Sequence, residues 1–373
     1  MRTDIVAQLG LDPEVLHLNH GAFGTVPVAV REAQRGWQER SESNPHRFNR
    51  EELPGLITQA RSQAAAFLGV ETAATALVRN VSEAVSAVLA SLDLAEGDEV
   101  VLGNHAYGAV RKAVEHWVAR RGVVLVEAAF AIDAIDDVVV TAYSSVVTAR
   151  TRLVIVDQIT SPTAMRLPVA AIAAAVDAPV LADAAHVPGS LRTDIAALGV
   201  TYWVGNLHKW AFTSRGTAVL WVDQSARAST WPLVLSWQIE GDLGQRFDYP
   251  GTWDYSAWLA LGAGLDFWRG LGGWDMVGRC RDLAGTGQRV VADALGTPLD
   301  GLAGTWSPTM RLVRLPDGQV SDRDDVQALY ERLSVKHGIE VAPVAFGGLG
   351  YLRIAAAAYN TVDDYERLAT ALT

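Results

Sequence analysis

The chain has 373 residues, half of them hydrophobic, which is ample for a large core and suits two domains. Its 31 basic and 42 acidic residues leave a net charge of −11, which argues against a nucleic-acid or anionic-membrane partner, and no local basic patch is legible. The single cysteine, Cys280, permits no internal disulfide and no cysteine-based zinc site.

In chain order, the opening residues carry Asp4, Asp12 and Glu14 where a signal peptide needs an apolar core. No uncharged apolar stretch elsewhere approaches membrane-spanning length, so a soluble, cytosolic protein is expected. His17 and His20 in HLNH have a metal-like spacing, but no helix or carboxylate cluster supports a metal, and a turn histidine is the expected role. Short Val/Leu/Ala runs then recur between helix-like patterns: TALVRN (75–80), DEVVLGN (98–104), GVVLVEA (122–128), RLVIVDQI (152–159), APVLADAAH (178–186), TYWVGN (201–206) and TAVLWVD (217–223). Such alternation predicts crossover connections and a mostly parallel sheet covered on both faces. Residues 20–255 are therefore expected to form one large, doubly wound α/β domain. Beyond Trp253, SAWLALGAGLDFWRGL (256–271) predicts helix, RLVRLPDG (311–318), HGIEVAP (337–343) and GYLRIAAA (350–357) predict strands, and VDDYERLATAL (362–372) predicts a closing helix. These define a smaller α+β domain, residues 256–373 together with 1–19.

Ligand sites in open α/β sheets gather at the carboxyl ends of the strands. Polar residues fall there repeatedly: Asn80 and Ser82, Tyr107, Gln158 and Ser161, Asp183 with His186, then Asn206, His208 and Lys209. Asn80-Val81-Ser82-Glu83 reads either as a capping box, with Glu83 reaching back, or as a phosphate cradle of free amides plus the Ser82 hydroxyl. Asp183 closes a buried strand and needs a partner. It could cap a helix, pair with an arginine, or pair with a protonated cofactor ring nitrogen. Lys209 follows an apolar run and precedes Trp210 and Phe212. A desolvated lysine near other positive charge has a lowered pKa and can form a Schiff base. Arg353, inside an apolar run, reads either as half of an ion pair within the fold or as a bidentate clamp on a substrate carboxylate. No GxGxxG, P-loop or GxSxG motif is present to support dinucleotide, nucleoside-triphosphate or serine-hydrolase chemistry.

Taken together, LNHGAFGTVP, RNVSEAV, GNHAYGAVRKA, VDQITSPTAMRLPV, LADAAHVPGSL, GNLHKW, YPGTWD and LRIAAAAYNT resemble the class V branch of the fold-type I pyridoxal-phosphate enzymes. That group includes cysteine desulfurases and isopenicillin N epimerase-like proteins. The resemblance implies pyridoxal 5'-phosphate carried on Lys209, which also shuttles protons. It implies Asp183 on the pyridine nitrogen, His186 near the ring hydroxyl and Tyr107 stacked on the ring. Val81, Ser82, Asn206 and His208 would hold the phosphate, with Ser161 also on the cofactor and Thr252 contributed by the second subunit of a homodimer whose active site lies at the interface. On the substrate side it implies Arg353 as carboxylate clamp, with His20 and Phe23. Two departures stand out. Gly251-Thr252-Trp253-Asp254 replaces the usual GTRD of the epimerase-like group, and VAPVAFGGLGYLR lacks the catalytic cysteine of desulfurases.

A lysine Schiff base with a carboxylate clamp implies loss of the α-proton from an amino-acid-derived substrate, with transamination, epimerisation or β-elimination to follow. The missing loop thiol favours elimination at a carbon–sulfur bond. The chain further resembles, in its shortness and class V details, the actinobacterial lyases that cleave hercynylcysteine sulfoxide in ergothioneine biosynthesis. For the trimethylammonium group of such a substrate, Trp237, Glu240, Asp242, Phe247, Asp248, Tyr249 and Trp253 are expected close to the site. The alternatives are an aminotransferase or epimerase and, from another class, a non-catalytic binding module that keeps the fold.

Overall fold

The computed structural model describes residues 2–299, 302 and 306–373. Each of the seven apolar runs of the first two thirds is a strand: β1 Thr75–Val78, β2 Glu99–Gly103, β3 Val124–Ala128, β4 Thr151–Asp157, β5 Val180–Asp183, β6 Tyr202–Asn206 and β7 Ala218–Val222. They form one sheet in the order β1-β7-β6-β5-β4-β2-β3. Strands β3, β2, β4, β5 and β6 pair in parallel, whereas β7 runs antiparallel to both β6 and β1. This is the expected doubly wound, mostly parallel α/β sheet.

The strands read as nearly continuous apolar runs because both faces are covered. Side chains alternate across the pleat. Val100, Leu102, Leu153, Ile155, Leu181 and Val204 pack with Val81, Val85 and Val88 of the Val81–Ser91 helix on one face. Val101, Val154, Val156, Ala182 and Trp203 pack with Val139, Tyr143 and Ile172 on the other. That second layer continues without a break into the C-terminal part of the chain, through Leu312, Val313, Leu352 and Ile354.

There a three-stranded antiparallel sheet is built from β8 Met310–Arg314, β9 Ala342–Phe346 and β10 Leu349–Ala355, with β10 central. The helices Gly273–Leu295 and Val362–Leu372 lie against it, the second opened by a capping box between Thr361 and Asp364. The N-terminal segment joins this unit through Leu16–His17, which pairs in parallel with Ile339–Glu340. The 256–271 stretch, expected as helix, is two helices, Ser256–Leu259 and Leu261–Gly270, separated at Ala260. Among the described residues no helix is long and apolar enough to cross a membrane.

Candidate active site

The carboxyl ends of β1, β4, β5 and β6 converge on one cavity of about 290 Å3, lined by Asn80, Val81 and Ser82, then Tyr107, Asp157 and Ser161, then Asp183 and His186, then Asn206, His208 and Lys209, with Ala22, Phe23, Arg79 and Arg215 at its margins. Lys209 reaches it from the single helical turn Leu207–Trp210, which β6 runs directly into. Leu207, Trp210 and Phe212 are buried around that turn, so the backbone is pinned and the amine is held in the cavity. Lys209 is only 8% exposed, and its Nζ lies 3.2 Å from His186 Nε2. Burial first, then the charge of Arg353, lower its pKa to about 7 against the opposing pull of Asp183. An amine so placed carries a reactive neutral fraction near neutral pH.

Asp183 is buried at the end of β5, and its Oδ1 accepts the Ala185 N–H at 3.0 Å. Burial raises its pKa, while the Ala185 amide and Lys209 favour the ionised form. His186, three residues on, is held neutral by burial and by the charges of Lys209 and Arg353. Its Nε2 also lies 3.3 Å from Ser161 Oγ, and its Nδ1 is buried without a partner.

Arg353 sits on β10, is buried and is not among the residues lining the cavity, and it pairs with no acid among the described residues. It donates to the Ser161 carbonyl and, at 2.8 Å, to Asn19 Oδ1, and its Nε has no partner. The ion-pair reading of Arg353 is thereby overturned: neutral acceptors hold the guanidinium in place and leave its charge unmatched, which a substrate carboxylate would match. His20 is buried and does not line the cavity. Its Nε2 donates to the Lys209 carbonyl at 2.8 Å and its Nδ1 faces the Tyr359 hydroxyl at 3.2 Å, so it braces the lysine turn from behind. Gly24 presses on the same turn with φ +64°, and a Cβ there would stand 2.0 Å from the His208 carbonyl oxygen.

At the amino end of the Val81–Ser91 helix, Asn80 Oδ1 accepts the Glu83 N–H at 2.9 Å. The capping box is only half formed, because Glu83 reaches past Asn80 to the Arg79 N–H and guanidinium. The Val81 N–H donates to Asn206 Oδ1 at 3.1 Å, so Val81 braces Asn206 across 125 positions of sequence. Ser82 lines the cavity, and His208 does so with its Nδ1 3.3 Å from the Thr217 carbonyl. Tyr107 and Phe23 stand at the mouth, 48% and 72% exposed.

Thr252 lines no part of this cavity. It lies in a separate groove with Pro250, Trp253 and Arg79. The aromatic and acidic set expected around the substrate is elsewhere too, and none of its seven members lines the cavity. Asp248 forms a buried pair with Arg61 at 3.1 Å, Asp242 caps the Leu243–Asp248 helix, and Trp253 packs on Tyr255 and Trp258. Phe247 is buried in the core with Val81 and Val85, whereas Trp237 is 91% exposed, so the segment divides between core and surface and brings none of these residues to the cavity. Gln158 also turns away, bonding Trp203 Nε1 and Thr193. Asp157, Arg79, Arg215 and Asn19 complete the site without having been singled out. Asp157 could have been found from strand alternation, since it ends β4 as Asp183 ends β5.

These donors suit pyridoxal phosphate: an amine of lowered pKa for its aldehyde, a buried carboxylate for its ring nitrogen, and a helix amino end with a hydroxyl for its phosphate. The unpartnered His186 Nδ1 adds a polar atom that a bound group would satisfy. Fold and donor set together are those of a fold-type I pyridoxal-phosphate enzyme. The chain belongs to the aminotransferase class-V family, whose pattern matches residues 18–368, and the family depends on that coenzyme. Isopenicillin N epimerase from Streptomyces clavuligerus is 29% identical over 97% of this chain and 95% of its own length. A probable chloroplastic L-cysteine desulfhydrase from Arabidopsis thaliana is 31% identical over 97% of this chain and 83% of its own. Among solved structures, a C-DES mutant with glycine covalently linked to its PLP cofactor superposes with a TM-score of 0.83 at 19% identity, covering 98% of each chain. The cystine C–S lyase C-DES with its product cysteine persulfide gives the same TM-score and identity over 96% of this chain and 97% of that one.

Proposed function

We propose that this enzyme is a carbon–sulfur lyase that acts by β-elimination on a cysteine conjugate, with Lys209 as the base. The observation that carries this reading is the pairing of a poised amine with the absence of any usable thiol. Lys209 Nζ lies in the cavity with a pKa near 7, while the β9–β10 hairpin has no cysteine. Cys280 is buried in the Gly273–Leu295 helix against Met276, its thiol pushed up to about 12 by burial. Persulfide transfer through a protein thiol therefore has no carrier, whereas elimination needs none.

The bound coenzyme supplies an electron sink for negative charge at the substrate α-carbon. Arg353 holds the substrate carboxylate, and its fixed contacts to Ser161 and Asn19 orient it before binding. Lys209 Nζ takes the α-proton, the sulfur leaves from the β-carbon with the C–S bonding pair, and hydrolysis of the released enamine gives pyruvate and ammonia. With the coenzyme bound, Asp183 would hold a negative charge toward the ring nitrogen and Tyr107 would lie against the ring. Ser82, Asn206 and His208 would hold the phosphate, joined by Thr252 of a second subunit in a cytosolic homodimer. Phe23 stands on the substrate side, and His20 serves by fixing the backbone of Lys209.

The substrate we propose is hercynylcysteine sulfoxide. Support comes from the desulfhydrase relatives, from the resemblance in motifs, and from Tyr107 and Phe23, whose exposed rings offer cation–π contact to a trimethylammonium group. Arg79 at the mouth is matched by Glu83 at 2.9 Å and so opposes such a cation less. Epimerisation is the second reading, favoured by the Streptomyces relative. It requires proton delivery from the face opposite the lysine, and the side chain within hydrogen-bond reach of Nζ, His186, sits beside it. Incubating the purified enzyme with hercynylcysteine sulfoxide is expected to release pyruvate and ammonia without an added keto acid. A keto-acid requirement, or inversion at the α-carbon without ammonia, would overturn the lyase reading, and a colourless protein that takes up no coenzyme would restore the binding-module alternative.

A further inference from the structure

Asp157 and Asp183 are register partners on the parallel strands β4 and β5. Neighbouring strands run about 5 Å apart, and register partners project to the same face. Both carboxyl groups are buried, each residue 3% exposed, and both line the Lys209 cavity. Lys209 Nζ lies against His186, Arg353 donates to Ser161 and Asn19, Arg79 pairs with Glu83 and Arg215 donates to the Gly24 carbonyl, so among the described residues no cation is hydrogen-bonded to either carboxyl group. Two carboxyl groups so close in a dry site do not both ionise without large cost, and the pair titrates as a unit.

The surroundings are unequal. Asp183 receives the Ala185 N–H and feels the charge of Lys209, both of which favour its carboxylate. Asp157 is pushed well up by burial and then by the charge of Asp183, with the Tyr107 backbone amide as the main opposing influence. The Tyr143 hydroxyl is driven upward by burial and then by the charge of Asp157. We propose that the Asp157–Asp183 pair carries one proton, resident on Asp157, and that Asp157 is a positioning residue whose O–H supports Asp183 as the single carboxylate offered to the coenzyme. This rests on the pyridoxal-phosphate reading for its purpose, though not for the proton itself. The site then presents one negative charge to one ring-nitrogen proton, and a second charge arises only in alkali.

Asp157→Asn tests it, because a primary amide mimics the protonated acid in shape and donor. The variant is expected to bind pyridoxal phosphate within about twofold of wild type and to show the same visible band at neutral pH. Wild type should show an alkaline change in that band, absent in Asp157→Asn. Thermal melting of both proteins without coenzyme supplies a second readout. An acid whose pKa is raised by folding stabilises the fold at low pH and loses that contribution as pH rises through the folded value. The wild-type melting temperature should therefore fall relative to the variant as pH rises from the ordinary carboxylate value, about 4, and level off once the folded value is passed. An alkaline transition that persists in Asp157→Asn, or a tenfold or larger loss of coenzyme affinity in it, would overturn the proposal. If wild type takes up no coenzyme, the cofactor reading fails while the melting comparison still decides the pair. Should Asp157→Asn not fold, infrared spectroscopy of wild type must show a protonated-carboxyl band at neutral pH, and its absence would be decisive against the proton on Asp157.

Discussion

Holding Lys209 in a dry cavity costs stability whenever the amine is protonated. The fall from 10.5 to about 7 corresponds to at most about 5 kcal/mol, since one pKa unit is about 1.4 kcal/mol. A lysine whose folded pKa is depressed binds fewer protons folded than unfolded, so stability rises as pH climbs from about 7 toward the unfolded value. Coenzyme-free Lys209→Met should lose that rise and melt higher than wild type below neutrality, and superimposable melting profiles would show that the amine is not desolvated. With coenzyme added, the same variant is expected to lose both the visible band and turnover. Arg353→Ala should mainly raise the Michaelis constant, by roughly 2–5 kcal/mol if a buried charge pair is broken, and an unchanged constant would remove the clamp. Lys209 and Asp183 were legible because each follows an apolar run that gives a charged group no solvent. Gln158 shows the limit of such reading: position at a strand end is visible in sequence, but the face it takes is not, and a shift of one residue exchanges Gln158, bonded to Trp203, for Asp157, facing the cavity.

The lysine turn Leu207–Trp210 is too short to be stable by itself and is held by what presses on it. On one side His20 accepts this task through its bond to the Lys209 carbonyl, and on the other Gly24 packs against the His208 carbonyl. Gly24→Ala would set a methyl group 2.0 Å from that oxygen at a backbone angle that side chains rarely adopt. It should destabilise the protein by about 1–3 kcal/mol and weaken coenzyme binding, measured by melting and by coenzyme titration. Wild-type values for both would mean that the N-terminal segment does not position Lys209. The seven strands of the large sheet were readable because burial on both faces demands uniform apolar runs, a composition signal that needs no partner information. Contacts such as Val81 to Asn206 or His20 to Lys209 were not, since they join residues 125 and 189 positions apart and leave no local periodicity.

At the scale of the whole molecule, the surface holds one segment that a solvated monomer explains poorly. Trp231, Leu233, Val234, Leu235, Trp237 and Ile239 are all exposed, Trp237 most of all, in a run leading toward Thr252. Contiguous apolar surface of this kind marks an association site. The Lys209 cavity, for its part, is lined by Ser82, Asn206 and His208, the residues proposed to hold the phosphate, with Thr252 of the same chain in a different groove. The proposed homodimer, in which each Thr252 completes the opposite cavity, would account for both facts and would make assembly and coenzyme affinity separable. Trp237→Asp should shift the protein toward monomer in sedimentation and, because the monomer lacks the second chain's hydroxyl, should weaken pyridoxal-phosphate binding as it dissociates. Thr252→Val should leave the dimer intact and weaken the coenzyme alone, by roughly 1–3 kcal/mol for one lost hydrogen bond to a charged group. A stable dimer in which Thr252→Val binds coenzyme as wild type does would place the phosphate entirely within one chain.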